Sequence, residues 1–283
     1  MKKRIICAAG ILFIASLIGY ELYSSKYMLK TTYYTVETNK TDEKIRIVQL
    51  SDLHNSEFGK DNNRLIARVS EEDPDLIFVT GDIIISNEIE TEIAINLIND
   101  LTKIAPVYVS MGNHEKEYED KYGIDISSVY EEAGAVVLDR NYEEIIINDN
   151  KIRIAGIYGY CFPIGYEVER KDESVFLNNF QNTDSLKLLL AHMPLGWYHS
   201  GSLDSWNIDV VFSGHTHGGQ VRLPFIGGLY APDLGLFPGR EGGLYYSQDA
   251  KKVLVLSKGL GSSEIIPRFN NIPEIVVVDV IPE

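Results

Sequence analysis

Ile47-Val48-Gln49-Leu50-Ser51-Asp52-Leu53-His54 is an apolar, β-branched run that stops on two metal-ligand residue types, and the same arrangement recurs four more times along the chain. Ile77-Phe78-Val79-Thr80 leads into Gly81-Asp82, and Val107-Tyr108-Val109-Ser110-Met111 into Gly112-Asn113-His114-Glu115. Leu188-Leu189-Leu190-Ala191 runs into His192, and Val210-Val211-Phe212-Ser213 into Gly214-His215-Thr216-His217-Gly218-Gly219. Short runs of this composition read as buried strands. Between the first three lie Asn63–Glu71 and 88–103, whose apolar residues at 65, 66, 69 and at 93, 94, 97, 98, 101 keep a period near 3.6. The order β-α-β-α-β predicts a parallel sheet with right-handed crossovers. Later runs at 145–147 and 152–157, and at 253–257 and 275–280, follow one another without a long helix between them. They predict hairpins and a second, mixed sheet. The fold class is therefore α/β, and residues 44–283 read as one domain, with no internal repeat or low-complexity tract.

In open α/β sheets the carboxyl ends of parallel strands are where ligands bind, because the loops converge there and the backbone leaves the ladder. Five such ends on one rim gather two Asp, one Asn and five His. In D-x-H and H-x-H the side chains stand at i and i+2, a spacing that an extended or turning segment can aim at one ion or at adjacent ions. Gly81, Gly112 and Gly214 precede the ligand types, where a tight turn or close backbone approach is needed. Nitrogen and oxygen donors without thiolates suit manganese, iron or zinc, with manganese favoured, whereas magnesium wants more oxygens. A carboxylate shared by two ions, with Asp82 the candidate, holds them about 3.5–4 Å apart and lowers the pKa of a bound water for in-line attack on phosphorus. Taken singly, short motifs of this kind match by chance about as often as not; their joint occurrence is what points to a site. Of six histidines only His199 falls outside these blocks, and it is expected on a helix or loop surface. Glu115 either orients a ligand residue or faces solvent.

Asp52-x-His54, Gly81-Asp82, Gly112-Asn113-His114-Glu115, His192 and Gly214-His215-x-His217 resemble, in order, the five motif blocks of the calcineurin-like metallophosphoesterase superfamily. Residues 214–220, Gly-His-Thr-His-Gly-Gly-Gln, resemble most its membrane-associated bacterial branch. The similarity spans residues 44–280 and takes in Gly259-Leu260-Gly261 and Pro273-Glu274. It implies a four-layer αββα sandwich with two mixed β-sheets. It also implies one divalent ion on Asp52, His54, Asp82 and His217, and another on Asp82, Asn113, His192 and His215. His114 would then be the catalytic residue, contacting a leaving or non-bridging oxygen. The activity implied is metal-dependent hydrolysis of phosphoesters; a pyrophosphatase acting on a nucleotide-linked lipid and a metal-bearing scaffold without turnover are the alternatives. Gly259-Leu260-Gly261 fails as a dinucleotide fingerprint because Glu264 stands at its sixth position. No Gly-x-Ser-x-Gly elbow and no Gly-x-x-x-x-Gly-Lys loop occurs.

The formal charge of the 283-residue chain is −15; residues 1–30 carry Lys2, Lys3, Arg4, Lys26 and Lys30 against Glu21, which leaves −19 for the rest. Nucleic acid is thus not expected as a general ligand, because such binding needs a stripe of bases to neutralise phosphates. Cys7 and Cys161 cannot form a disulfide framework and share no C-x-x-C spacing. Lys2-Lys3-Arg4 is followed by 16 uncharged residues, 5–20, which rise about 24 Å as a helix. Extension to Tyr23 adds a turn, and Tyr20, Tyr23 and Tyr27 suit an interfacial belt. Residues 19–25 contain no A-x-A-like cleavage site, so residues 1–30 are expected to be an uncleaved single-pass anchor in the cell membrane. The basic lead stays cytoplasmic and the catalytic domain lies outside; cleavage of the segment would make the protein secreted. Residues 31–43 read as a linker running into an edge strand.

Residues 221–246 hold six glycines interleaved with Phe225, Tyr230, Phe237, Tyr245 and Tyr246. A loop this long beside the H-x-H block is expected to be a substrate rim. Its aromatics suit a lipid-linked or envelope phosphoester. Arg222, Arg240 and Arg268 are candidates to clamp phosphate oxygens, although a structural ion pair is the commoner use of any single arginine. Oligomeric state is not legible in the sequence.

Overall fold

Successive residues on a strand face opposite sides, so a strand apolar on both faces must be covered twice. That requirement builds the layers here. In the computed structural model, which describes residues 2–164 and 171–283, the chain begins with the helix Lys2–Tyr27 (α1) and the strand Lys30–Thr38 (β1). Ile45–Leu50 (β2), Leu76–Thr80 (β3) and Val107–Ser110 (β4) follow, joined by Asn63–Glu71 (α2) and Glu92–Leu101 (α3). Asn113–Tyr122 (α4), Ile126–Glu132 (α5) and Val136–Leu138 (β5) complete this half. Asn141–Ile147 (β6) and Asn150–Ile157 (β7) open the second half, followed by Lys171–Phe180 (α6), Leu186–Ala191 (β8), Leu195–His199 (α7), Ser202–Ser205 (α8) and Val210–Ser213 (β9). Two small ribbons come next, Arg222–Leu223 with Gly227–Gly228 (β10, β11) and Tyr230–Ala231 with Gly235–Leu236 (β12, β13). Gly243–Tyr246 (β14), Val253–Leu256 (β15) and Glu274–Pro282 (β16) end the chain.

The first sheet has the order β1-β16-β2-β3-β4-β5 and the second β14-β15-β9-β8-β7-β6. Both are mixed: β2, β3, β4 and β5 run parallel, as do β7, β8, β9 and β15, while β16 is antiparallel to β2 and β6 to β7. Ile47, Phe78 and Tyr108 from the first sheet meet Leu188, Val210 and Phe212 from the second in one buried layer. Val48, Ile77 and Val109 point the opposite way, against Leu65 and Val69 of α2 and Leu97 and Ile98 of α3. Leu189 and Val211 do the same for the second sheet, against Leu177 of α6, Trp197 of α7 and Leu203 of α8. Helix, sheet, sheet and helix stack as four layers, the expected sandwich.

Three details differ from the sequence expectation. The helix expected over 88–103 begins at Glu92, because Ser86 is held in the loop over the rim, where its N–H donates to His114 Nδ1 at 3.0 Å. The runs at 145–147 and 152–157 do form a hairpin, but those at 253–257 and 275–280 do not: β15 lies in the second sheet and β16 in the first. Between them the chain crosses the rim, with Leu260 N–H bonded to Ser51 O at 2.9 Å and Gly261 N–H to Asp52 O at 2.6 Å. The segment read as a linker into an edge strand is already strand at Lys30, paired in parallel with β16 over its full length.

Candidate metal centre and its relatives

Each expected ligand stands one to four residues beyond the carboxyl end of a strand, and the backbone there is bent sharply. Asp52, His54, Asp82, His215 and His217 all have φ between +47° and +70°. A side chain in this left-handed region costs of order 1 kcal/mol or more, and such residues persist only where the surroundings over-determine them. Close packing of backbone is part of that over-determination. A Cβ on Gly112 would lie 2.2 Å from Asp82 Oδ1, and one on Gly214 would lie 1.9 Å from Ser51 Oγ and 2.5 Å from Asp52 Oδ2. Beneath the rim, Gln49 Nε2 donates to Thr80 Oγ1 at 3.0 Å and to Ser213 O at 2.9 Å, and so ties the two sheets together.

The bends bring the expected ligands into two buried groups that share Asp82. Asp52, His54, Asp82 and His217 form one, with ligand atoms within 4.8 Å of each other, and Asp82, His192 and His215 form the second. His54 Nε2 and His217 Nε2 face each other at 3.0 Å, His217 Nε2 lies 3.5 Å from Asp52 Oδ1, and His192 Nε2 lies 3.2 Å from Asp82 Oδ2. Asp52 Oδ2, Asn113 Oδ1, His192 Nε2 and His215 Nδ1 are buried with no hydrogen-bond partner. Buried polar atoms are rarely left so, and a convergent set of nitrogen and oxygen lone pairs is what a divalent cation satisfies. The residues therefore fit such an ion.

Outer contacts choose which ring nitrogen is offered. His192 Nδ1–H donates to Thr80 O at 2.7 Å, which leaves Nε2 as the free lone pair. His215 Nε2–H donates to Asp233 Oδ2 at 2.8 Å and leaves Nδ1. Hydrogen bonds of this kind fix the tautomer and raise the basicity of a ligand ring. Electrostatics keep Asp82 and His54 in their ligating forms, whereas His192, although burial alone would lower it, is raised to about 10 by Asp82 and must give up its Nε2 proton to ligate a cation. Burial alone would raise Asp82, but His192 beside it holds its carboxyl well below the usual range. Burial and the neighbouring His217 push His54 down to about 3, so its ring is neutral.

His114, in the first turn of α4, is half-buried and sits edge-on to His54 with ring centroids 4.7 Å apart. Its Nδ1 accepts the Ser86 N–H, so the ring proton sits on Nε2, 3.2 Å from Ser263 Oγ. Glu115 does not face solvent. It is fully buried; Oε2 accepts the N–H groups of Asp82 and Gly112 at 2.8 and 2.9 Å, and Oε1 accepts the Ile83 N–H at 2.8 Å and the Tyr130 hydroxyl O–H at 3.2 Å. One carboxylate thus sets the loops after β3 and β4 against each other.

The arginines read as phosphate clamps are otherwise engaged. Arg268 is buried and donates to the carbonyls of Lys258, Gly261 and Asn271; Arg222 pairs with Glu241 at 3.2 Å and donates to Gly218 O; Arg240 donates to Tyr198 O and lies over the Tyr198 and Tyr245 rings. The loop 221–246 splits instead. Asp233 reaches His215 and also accepts from Tyr160 Oη, while the turn at Phe225 and Ile226 is exposed. Asp233 was not singled out in the sequence, where its only mark is an acid in a glycine- and aromatic-rich loop. His199 is exposed at the end of α7, as expected.

The model of the calcineurin-like phosphoesterase family matches residues 45–219, which hold all of these ligand positions. This chain belongs to that family. It is a metal-dependent phosphoesterase, and its resemblance to relatives extends through nearly its whole length. It is 29% identical over 282 residues to the uncharacterized metallophosphoesterase YkuE of Bacillus subtilis, covering 95% of this chain and 92% of that one. It is 26% identical over 200 residues to the phosphodiesterase YaeI of Escherichia coli, covering 66% of each. Over 285 residues it is 24% identical to the UDP-2,3-diacylglucosamine pyrophosphatase LpxG of Chlamydia muridarum, covering 83% of each.

Proposed function

We propose that this phosphoesterase hydrolyses a phosphodiester, in particular a lipid- or envelope-linked one, on two divalent cations, with manganese favoured. Asp52, His54, Asp82 and His217 hold one cation, and Asp82, Asn113, His192 and His215 the other. When bound, the pair supplies an activated water as nucleophile and neutralises charge on the phosphorus oxygens. The observation that carries the reading is Asp82, whose carboxylate belongs to both buried ligand groups.

The chain's own residues do the remaining work. Glu115 and the strained turns hold the ligand atoms in place before substrate arrives, so little reorganisation is needed during reaction. His114 presents Nε2–H at the rim, where Ser263 Oγ now marks an acceptor position 3.2 Å away. A non-bridging or leaving oxygen in that place receives the same donor as charge develops. The similarity to a named phosphodiesterase and to a named lipid-nucleotide pyrophosphatase supports a diester with an apolar part, and pyrophosphate cleavage of a nucleotide-linked lipid is the second reading.

In the same reading α1 is a single-pass anchor that leaves the catalytic domain outside the cell membrane. Ile6–Tyr27 of that helix is long and apolar enough to cross a bilayer, a test that a signal sequence near the N-terminus also passes. The enzymatic test is turnover of a chromogenic phosphodiester after removal and re-addition of manganese. His114→Ala is expected to lose about 10²–10³-fold in kcat while retaining bound metal. No hydrolysis by the metal-loaded wild type across mono-, di- and pyrophosphate substrates would sink the reading.

A further inference from the structure

Consecutive large apolar side chains that are both more than half exposed are uncommon on a soluble surface; beyond α1 the described residues hold three such pairs, Leu236-Phe237 and two that are tied to each other. Phe225 and Ile226 are 108% and 60% exposed at the turn between β10 and β11; Ile265 and Ile266 are 100% and 61% exposed in the loop before β16. The two segments are joined: Gln220 Nε2 donates to Ile266 O, Arg222 N–H to Phe269 O at 2.9 Å, and Asn270 Nδ2 to Arg222 O at 3.1 Å. The last turn of α1 and the first residue of β1 join the same face. Asn271 N–H donates to Ser25 Oγ at 3.0 Å, and Lys30 N–H to Pro273 O at 2.9 Å. Ile265 borders a groove of about 440 Å³ whose other wall is Leu22, Ser25 and Lys26 of α1.

We propose that this face is seated in a lipid bilayer, with Phe225-Ile226 and Ile265-Ile266 inserted among the headgroups beside the point where α1 emerges. Its partner is the lipid surface itself, because the apolar tips continue an apolar helix whose residues 6–20 all stand exposed, burial beginning only at Ser24 and Ser25 where the helix meets the protein. Ile265 lies at the level of Leu22 to Lys26, and Tyr20, Tyr23, Tyr27 and Lys26 are the residue types that mark the boundary between hydrocarbon and water. The groove runs from this boundary to Ser262, next to Ser263 and thus to His114. An alkyl chain leaving the bilayer along α1 delivers its phosphoester to the rim, which narrows the substrate class to lipid-linked esters. The proposal rests on the reading of α1 as an anchor.

Its test uses the full chain in phosphatidylcholine vesicles with brominated acyl chains. Phe225→Trp and Ile265→Trp place reporters on the tips; Ile146→Trp places one on β6, exposed and near the end of the strand hairpin that joins β7. Trp197 and Trp206 are buried and supply a constant background. Emission from both tip reporters is expected to fall relative to unbrominated vesicles, and that from Ile146→Trp to stay unchanged. Tip emission that falls no more than that of Ile146→Trp overturns the proposal, whether the tips are covered by a second copy, by another protein or by water. Carbonate extraction of the same vesicles judges α1 separately. A chain that resists extraction with unquenched tips keeps the anchor and loses the seated face; an extracted chain loses the anchor, and quenching at the tips still decides the face.

Discussion

Phe78 and Thr80 sit two residues apart on β3, and they belong to different worlds. Phe78 lies in the layer between the sheets, edge-on to Phe212 with ring centroids 5.0 Å apart and planes at 89°. Thr80 closes the strand, and its carbonyl receives Ser51 Oγ at 3.0 Å and His192 Nδ1 at 2.7 Å. The layer around Phe78 is apolar and regular, and each fully buried aliphatic or aromatic side chain contributes about 1.5–3 kcal/mol by leaving water. The rim beyond Thr80 is polar, buried and strained, with unpartnered nitrogens and oxygens that converge as a cation's donors would. The comparison teaches that the two regions answer to different measurements: stability is stored in the layer, and chemistry in the few residues after each strand ends.

The sharpest way to break this division is Asp82→Asn. The amide keeps an Oδ1 to accept the His114 N–H, seen at 2.9 Å, so the fold is expected to survive. Turnover should drop by at least about 10³-fold, equivalent to roughly 4 kcal/mol, with bound metal reduced. An unfolded variant, or one with near-normal activity, would remove the separation between layer and rim. The converse is Phe78→Ala, expected to lower unfolding free energy by about 3–5 kcal/mol in denaturant titrations while metal per folded molecule stays constant.

Glu115→Gln probes the boundary between the regions. An amide nitrogen placed among the donors Asp82 N–H, Gly112 N–H, Ile83 N–H and Tyr130 Oη sets donor against donor, and should cost about 1–3 kcal/mol together with a measurable loss of metal affinity. A stability loss with metal binding unchanged would assign Glu115 to the scaffold alone.

The smallest effect is expected at a buried ion pair behind the rim. Glu274 is buried, accepts Lys258 Nζ at 2.8 Å and Thr32 Oγ1 at 2.6 Å, and takes the Lys258 N–H at 3.1 Å. Burial alone would raise its pKa, but Lys258 holds it below the ordinary glutamate value. A carboxyl lowered in the folded state adds stability above its unfolded pKa, about 4.3, and that stability is lost as pH falls through the folded value. Glu274→Gln should therefore flatten the acid limb of the stability profile, by about 1 kcal/mol or a little more. An unchanged slope below pH of about 4 would show that the pair contributes nothing to folding.

The residues expected at the rim do meet there, and the physical reason is local. A buried strand announces itself by apolar composition, and the polar residues just past its end have only one place to go. The β-α-β-α-β start was legible for the same reason, since period 2 and period 3.6 are properties of short windows. Pairings between distant parts were not. Nothing near 253–257 or 275–280 says that β15 and β16 belong to different sheets, because both are apolar on both faces. Asp233 reaches His215 from the turn of the β12–β13 ribbon, with positive φ at Asp233 and Gly235, which no local pattern encodes. Arg268 reads as a candidate phosphate clamp or ion-pair partner, and its true partners are not legible because backbone carbonyls carry no side-chain signature.

Only Met28 and Leu29 separate the end of α1 from the start of β1, and β1 is zipped to β16 from its first residue. Two residues of chain span about 7 Å at most, too little for slack. The helix is thus a stem rather than a leash: a tilt or rotation of α1 must be passed on to the whole first sheet. Were α1 held in a bilayer, as proposed above, that grip would set the height and heading of the catalytic mouth, and substrates would have to travel to it, since the domain would have no freedom to swing out and fetch them.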